Sequence, residues 1–252
     1  MQPVRAKKSF GQHFLNDRNI AKKIVDGLQR KDMYVTIVEI GPGTGALTQF
    51  LKDFEHKLIL VDADRESIEF LQKEYADERI SIMQKDVLKM QISELTDKPV
   101  GLIGNMPYNI SGPLLFMALE QREMITEWVG MLQKEVVDRV VAKPRTKEYG
   151  ILSVLLQAYF HCELLFKVPP QVFTPPPKVH SAVLRLVPKT ENLPDCEYVV
   201  LKNIVKTAFN QRRKTMRNSL KSLFPTEKLQ NEFFTKRPEE LSWEEFAELA
   251  KE

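Results

Sequence analysis

The predicted fold depends on the stretch Tyr34–Ile40, which reads YVTIVEI and is followed at once by Gly41–Gly45 (GPGTG). A short apolar run rich in β-branched residues predicts a buried strand, and the glycines after it allow a tight turn that a ligand can approach closely. A helical pattern begins at Ala46. Strand, glycine-rich turn and helix together predict a ligand site at the carboxyl end of a parallel strand.

Similar apolar runs recur along most of the chain and alternate with helical patterns such as Asn19–Leu28 and Ser67–Tyr75. The further runs are Leu58–Val61, Ile80–Met83, Val100–Ile103, Trp128–Leu132, Leu164–Val168 and Ala182–Val187. This alternation predicts a Rossmann-like α/β fold with one seven-stranded sheet. The early runs are almost continuously apolar, so we expect those strands to be parallel and covered on both faces.

The pattern changes near Pro188, where a polar segment punctuated by proline begins, and only helical patterns follow it. We therefore predict two domains, an α/β domain over residues 1–189 and a small all-helical domain over residues 190–252. The helices of the second domain are predicted at Tyr198–Phe209, Gln211–Leu223, Thr226–Phe234 and Glu239–Lys251.

The composition argues against several classes of protein. Hydrophobic residues make up 43% and charged residues 28% of the 252, as is typical of a globular chain, and the net charge is only +3. Cys162 and Cys196 are too few for a disulfide framework and have no zinc-binding spacing. The sequence has neither an apolar stretch of about 18 residues nor a secretory signal. We therefore expect a cytoplasmic monomer without a metal or a membrane partner.

Acidic residues lie where the strands of the predicted sheet end. Glu39 precedes the glycine turn, and Asp62 and Asp86 follow the second and third strands. Asp62 is placed to accept hydrogen bonds from ribose hydroxyls, which indicates a nucleoside-bearing cofactor. Because Glu39 would repel a pyrophosphate but attract a sulfonium or amino group, S-adenosylmethionine fits better than a dinucleotide. The glycine turn with Ala46 also satisfies the dinucleotide fingerprint, so that alternative stays open, as does a role limited to capping loops.

The four residues Asn105-Met106-Pro107-Tyr108 follow the next strand and predict the reaction. An exocyclic adenine amine is a poor nucleophile, because its lone pair is delocalised into the ring. The side-chain oxygen of Asn105 and the backbone carbonyl of Met106 are acceptors that would favour a localised lone pair on such an amine. Pro107 would stiffen the turn, and Tyr108 would stack on the base. A turn without a chemical role is the alternative.

The predicted helical domain contains a group of cations that no acidic residue interrupts. The group comprises Lys202, Lys206, Arg212, Arg213, Lys214, Arg217 and Lys221, and the N-terminal Arg5, Lys7 and Lys8 add to it. A local positive field on a nearly neutral protein is typical of RNA binding through phosphates. We expect Arg212, Arg213, Lys214 and Arg217 to contact RNA; solvated helix faces are the alternative.

Six short motifs are spread over the whole chain. They are Phe10–Leu15 (FGQHFL), Val38–Gly45 (VEIGPGTG), Gly104–Ser111 (GNMPYNIS), Met131–Val136 (MLQKEV), Phe173–Val179 (FTPPPKV) and Phe209–Lys214 (FNQRRK). In this order they resemble the KsgA-type ribosomal RNA adenine dimethyltransferases. The resemblance implies a seven-stranded S-adenosylmethionine methyltransferase domain with a helical RNA-binding domain. It also implies N6,N6-dimethylation of two adjacent adenosines in the 3′-terminal hairpin loop of small-subunit ribosomal RNA, within a pre-30S particle.

Carried over position by position, the resemblance implies roles for individual residues. The implied cofactor ligands are Gln12, His13 and Leu15 at the methionine part, Glu39 and Gly41 at the first turn, Asp62 at the ribose, Asp86 at the adenine ring and Asn105 beside the transferred methyl. Phe173 would stack on the target base opposite Tyr108. The family usually has leucine in place of Met106 and glutamate in place of Asp62, and the shorter Asp62 carboxylate bears on cofactor affinity rather than on activity.

Other functions share part of this pattern. Sister enzymes that methylate one adenine of large-subunit RNA have the same catalytic motifs, but the segment Phe209–Lys214 fits the small-subunit branch better. A non-enzymatic assembly factor would need RNA binding alone. A dinucleotide oxidoreductase would bind NAD and not S-adenosylmethionine.

Overall fold

The computed structural model describes residues 4, 6, 7 and 11–251, so the predicted contributions of Arg5, Lys8 and Phe10 lie outside the described residues. Its strands are β1 (Phe14–Leu15), β2 (Thr36–Ile40), β3 (Lys57–Asp62), β4 (Ile80–Gln84), β5 (Val100–Asn105), β6 (Ile125–Gln133), β7 (Phe160–Val168), β8 (Phe173–Thr174) and β9 (Ser181–Pro188). Its α-helices are α1 (Arg18–Val25), α2 (Thr48–Leu51), α3 (Arg65–Glu74), α4 (Ser111–Glu120), α5 (Lys134–Val140), α6 (Ile151–Tyr159), α7 (Tyr198–Asn210), α8 (Met216–Ser219) and α9 (Trp243–Lys251).

Seven of these strands form one sheet in the order β4-β3-β2-β5-β6-β9-β7. The pairs β2–β3, β2–β5, β3–β4 and β5–β6 are parallel, whereas β9 runs antiparallel to β6. Each of the seven predicted apolar runs overlaps one strand of this sheet. The predicted seven-stranded sheet and its parallel first half are therefore confirmed.

The centre of the sheet is buried, and this burial makes it a rigid base for the loops at its edge. Every residue of β2 is buried, as a parallel strand covered on both faces should be. One core contains Ile37 of β2 together with Ile24, Leu51 and Leu71 from α1, α2 and α3. Asp17 caps α1 by accepting hydrogen bonds from the next helical N–H groups, which fixes where that helix begins.

A second, two-stranded sheet joins the N-terminal segment to the segment after β7. In it, Phe14 lies opposite Thr174 and Leu15 lies opposite Phe173. The backbone N–H of Asn16 extends the pairing by donating to the Val172 carbonyl at 2.8 Å. Strands of two residues are too short to show an alternating pattern, so the sequence did not predict this sheet.

The chain divides into two compact units. Of the described residues, the first unit contains those up to Val137 together with Glu163–Pro188, and the second contains Asp138–Cys162 together with those from Lys189 to Lys251. In the second unit the apolar helix α6 packs on α7 and α9. The predicted division at residue 189 therefore differs from this one in the position of Asp138–Cys162, because a long-range helix contact places that segment with the C-terminal helices.

The C-terminal helices are shorter than predicted. The predicted helix Gln211–Leu223 is replaced by a turn at 211–214 and the short α8, and Thr226–Phe234 contains only 3-10 turns. Helix α9 begins at Trp243 and not at Glu239. Inside the second of these predicted helices, the Asn231 side chain accepts from the N–H of Phe233 and so starts a new turn in place of a continuous helix. The predicted helices at 211–223 and 226–234 are therefore wrong.

Candidate active site

The register of the sheet brings three strand ends together. Ile40 at the end of β2 lies between Val61 of β3 and Gly104 of β5. A cavity of about 300 Å³ opens at this edge. Its lining includes eleven of the predicted site residues: Gln12, His13, Leu15, Glu39, Gly41, Asp62, Asp86, Asn105, Met106, Pro107 and Tyr108. Residues that are far apart in sequence thus share one site.

The glycine turn forms one side of the cavity. Gly41 and Gly43 have φ angles of 64° and 56°, which favour glycine because other residues clash there. A Cβ on Gly43 would also lie 2.9 Å from the Phe14 ring. The backbone N–H of Gly43 donates to Oδ2 of Asp62 at 3.2 Å. The turn can therefore approach a ligand closely, and Asp62 holds it in place.

Glu39 provides a buried carboxylate beside the cavity. It is 1% exposed, and its Oε2 accepts a hydrogen bond of 2.7 Å from the Thr48 hydroxyl. Burial raises the pKa of Glu39 to about 8, because the charged form has lost its hydration. The Thr48 bond opposes this shift, and the nearby Asp62 carboxylate adds to it. A cation in the cavity would stabilise the ionised form of this side chain.

The two remaining acidic residues differ in their surroundings. Burial raises the pKa of Asp62, although its oxygens accept from the N–H groups of Gly43 and Asp64. Asp86 is half-exposed, accepts from the N–H of Leu88 at 3.1 Å and lies 3.7 Å from the Lys89 ammonium. Each carboxylate oxygen has a second lone pair, so both residues can still accept from a ligand.

The loop after β5 is held in a fixed orientation. Nδ2 of Asn105 donates to the carbonyl of His13 at 2.9 Å, and the N–H of Met106 donates to the Met131 carbonyl at 3.0 Å. The first bond occupies the amino end of the Asn105 amide and so directs Oδ1 the other way. Among the described residues, none donates a hydrogen bond to this oxygen. It is therefore available to accept from a substrate.

Tyr108 is fixed at both its ring and its hydroxyl. Its ring stacks on that of His13 with a centroid separation of 5.3 Å, and its hydroxyl hydrogen-bonds Oγ of Ser181. Burial raises the pKa of Tyr108. The ring is thus a neutral, ordered aromatic surface beside Asn105.

Phe173 does not line the cavity. Its side chain is 3% exposed and belongs to the core that contains Leu15 and Val183. Side chains alternate along a strand, so the pairing of β8 with β1 turns Phe173 inward and Thr174 outward. In this structure Phe173 therefore belongs to the core and not to the cavity lining, and its stacking on the target base opposite Tyr108 stays a prediction.

A group of polar residues near the cavity was missed. Asp64 caps α3 and accepts from the Lys7 ammonium at 2.5 Å and from Nε2 of Gln12 at 3.1 Å. Glu66 also pairs with Lys7, at 2.9 Å. The spacing of Asp64 before Ser67 signals a helix cap, but its contact with the N-terminal segment depends on the tertiary fold. Gln12 therefore lines the cavity while its amide nitrogen is bound to the protein.

The four predicted RNA-binding residues lie in the second unit and have different surroundings. Arg212 donates to the carbonyls of Lys147 and Thr146 at 2.8 and 3.0 Å. Nε of Arg217 donates to the Leu229 carbonyl at 3.0 Å. The remaining two, Arg213 and Lys214, are exposed.

Within residues 4, 6, 7 and 11–251, no three side chains of His, Cys, Asp or Glu lie close enough together to hold a metal ion. The same part of the chain has no helix with the length and apolar character that crossing a membrane requires.

Comparison with known proteins agrees with this geometry. A family model described as ribosomal RNA adenine dimethylase matches residues 4–251. The chain belongs to this family. The resemblance inferred from the six sequence motifs is thereby confirmed, and so is the predicted class of enzyme, an S-adenosylmethionine-dependent rRNA adenine dimethyltransferase.

Relatives of this dimethylase match it over almost their whole length. Ribosomal RNA small subunit methyltransferase A of Cytophaga hutchinsonii is 47% identical over 255 residues, which cover 99% of this chain and 97% of the relative. The protein of the same name from Parabacteroides distasonis is 46% identical over 253 residues, covering 99% and 94%. A dimethyladenosine transferase from Plasmodium falciparum has a TM-score of 0.82 at 25% identity and covers 94% of this chain and 96% of its own. The predicted fold class is confirmed by this match.

Proposed function

We propose that this dimethylase transfers methyl groups from S-adenosylmethionine to N6 of two adjacent adenosines in the 3′-terminal hairpin loop of small-subunit ribosomal RNA. We further propose that it acts on a pre-30S particle during ribosome assembly. The observation that carries the proposal is the orientation of Asn105, whose Oδ1 is left available beside Tyr108 at the edge of the cavity. The small-subunit relatives, which match the chain from end to end, support the choice of RNA.

The cavity suits S-adenosylmethionine in size and charge. Its volume of about 300 Å³ is at the lower end of the range for small-molecule sites, and its lining combines apolar side chains with a few carboxylates. When bound, S-adenosylmethionine supplies an electrophilic methyl group on a positively charged sulfur. Glu39 would stabilise a cation, the Gly41–Gly43 turn would lie against the ligand, and Asp62 and Asp86 would accept from ribose and adenine. His13, Gln12 and Leu15 would form the wall at the methionine end.

The loop after β5 supplies what the amine requires. Oδ1 of Asn105 and the carbonyl of Met106 would accept the two N6 hydrogens and favour a localised lone pair on that nitrogen. Tyr108 would stack on the base and hold its amine near the cavity, and base-aromatic stacking is worth about 1 to 3 kcal/mol. The proton can leave after the nitrogen has become cationic, so no side chain is required as a general base.

The exposed pair Arg213 and Lys214 supports the RNA-binding part of the proposal. Structured RNA is bound largely through its phosphates, and these two cations are free to meet them. Arg212 and Arg217 donate hydrogen bonds to backbone carbonyls within the second unit. They would therefore contribute to RNA binding through their positive charge and their remaining N–H groups.

The test is methylation of purified small subunits from a strain that lacks this modification, using labelled S-adenosylmethionine. We expect label in the 3′-terminal loop and dimethyladenosine on digestion. Asn105→Ala should lower the rate by about a hundredfold, which is typical for loss of one group that stabilises a transition state, while RNA binding persists. Asn19→Ala, an exposed asparagine on α1, is the matched control and should retain full activity.

Two results would reject the proposal. The first is an absence of label in small subunits when the wild-type protein binds S-adenosylmethionine. The second is label that enters large subunits instead, which would assign the chain to the sister branch. If Asn105→Ala keeps wild-type activity, the role given to its side-chain oxygen is wrong.

A further inference from the structure

His13 contacts three groups on the substrate side of the site. Its ring stacks on Tyr108, with centroids 5.3 Å apart and planes 30° apart. Its Nδ1 lies 2.7 Å from the carbonyl oxygen of Pro175, and its own carbonyl accepts from Nδ2 of Asn105 at 2.9 Å. One residue thus touches the aromatic surface, the amide and the proline-rich segment after β8.

The contact with Pro175 determines which ring nitrogen of His13 carries a hydrogen. A carbonyl oxygen can only accept, so Nδ1 of His13 must carry a hydrogen and donate it. The ring plane is therefore fixed by a hydrogen bond at one edge and by the Tyr108 ring at one face.

The neighbouring contacts make this arrangement rigid. β1 begins directly after His13 and pairs with β8, and Asn16 donates to the Thr174 hydroxyl at 2.5 Å. On the other side of His13, a Cβ on Gly11 would lie 2.7 Å from Oδ1 of Asn109, so the backbone packs closely on the loop after β5. Movement of the imidazole would therefore require movement of either strand or loop.

We propose that His13 is a positioning residue for the target adenine, in addition to forming a wall of the cofactor cavity. It fixes the plane of Tyr108 and the amide orientation of Asn105, and it links both to the segment at Pro175. The base then stacks on the face of Tyr108 that His13 does not cover. This inference rests on the proposed function, because it assigns the substrate side of the same site.

The test compares His13→Ala, which removes the ring, with His13→Phe, which keeps an aromatic ring but lacks the Nδ1 donor. Each variant is assayed for S-adenosylmethionine affinity by calorimetry, for thermal unfolding, and for kcat and KM with small subunits. The fluorescence of a loop hairpin carrying 2-aminopurine at the target position reports stacking of the base. Asn19→Ala, an exposed asparagine on α1, is the control variant.

We expect His13→Ala to lower kcat/KM by about tenfold, the upper end of what an aromatic pair is worth, and to lose the 2-aminopurine signal. Because His13 also forms part of the cofactor wall, the affinity for S-adenosylmethionine should fall as well, but by clearly less than kcat/KM does. His13→Phe should recover most of the rate and the signal, and Asn19→Ala should retain both.

Three results would overturn the inference. Cofactor affinity that falls as much as kcat/KM would limit His13 to the cofactor wall. Wild-type kinetics in His13→Ala would show that His13 does not position the adenine. If His13→Phe is no more active than His13→Ala, stacking of an aromatic ring on Tyr108 is not the cause of the effect. Failure of the proposed function is distinguishable, because the wild-type protein itself would then leave small subunits unlabelled.

Discussion

At the residue scale, Glu39 links stability to pH. Its pKa is about 8 in the folded chain and 4.5 as a free side chain, so the folded state holds a proton that the unfolded state has lost between these values. Stability from Glu39 is thus fully present below pH 4.5 and is lost as pH rises toward 8. We expect the melting temperature of the wild type, relative to Glu39→Gln, to fall from pH 5 to pH 8.5. Parallel curves for the two proteins would contradict this prediction.

The same carboxylate predicts proton release on cofactor binding. A positively charged ligand beside Glu39 favours the ionised side chain, which is largely protonated at pH 7 in the free protein. Calorimetry of S-adenosylmethionine binding in buffers of different ionisation enthalpy should therefore detect a released proton at pH 7. Glu39→Gln should release none. If both proteins release the same number of protons, ionisation of Glu39 is not the source of the released proton.

Gly43 and Gly112 form a matched pair of substitutions. Gly43 has a positive φ, and an added Cβ would meet the Phe14 ring at 2.9 Å, whereas Gly112 on α4 has no atom within 4 Å of that position. Gly43→Ala should cost about 1 to 3 kcal/mol of unfolding free energy and weaken S-adenosylmethionine binding. Gly112→Ala should leave both unchanged or slightly raise stability. Denaturant unfolding and calorimetry measure these effects, and equal behaviour of the two variants would refute the steric argument.

At the element scale, a buried carboxylate connects β6 to the segment between α1 and β2. Glu127 is fully buried and accepts from the backbone N–H groups of Gln29 and Arg30 and from the Tyr34 hydroxyl, at 2.8 to 3.0 Å. Glu127→Gln replaces one acceptor by a donor that faces other donors. We expect the free energy of unfolding, measured in urea, to fall by about 1 to 3 kcal/mol, and by less for Tyr34→Phe. A stable Glu127→Gln protein would show that water or movement satisfies these groups.

The elements themselves differ in how far the sequence predicts them. The strands of the large sheet were predicted because continuous apolar runs such as Val100–Ile103 are buried on both faces and need no partner to be recognised. No apolar run of this kind marks the two-residue strands β1 and β8 or the 3-10 turns after α7. Pairing between distant segments decides the two short strands, and side-chain capping such as that of Phe233 by Asn231 decides the turns.

At the scale of the whole molecule, we expect some basic residues of the second unit to bind RNA and others to stabilise the fold. Replacing Arg213 and Lys214 by alanine should weaken RNA binding and reduce the slope of affinity against salt by about 2, with unchanged stability. Arg212→Ala should lower stability by about 1 kcal/mol, because the Lys147 and Thr146 carbonyls lose their donor. Filter binding across a salt series, with thermal unfolding, tests both. An unchanged salt slope in the double variant would exclude these two cations from the RNA contact.

The sequence by itself determined the sheet, the glycine turn with its acids and the Asn105–Tyr108 loop. These features are encoded in continuous stretches, where burial and backbone conformation depend on neighbouring residues. Only the tertiary structure decided that Phe173 is buried, that Asp64 binds Lys7 and Gln12, and that His13 stacks on Tyr108. Each of these depends on strand register or on a contact between distant segments, and a single sequence does not specify which of its many possible long-range pairs will form.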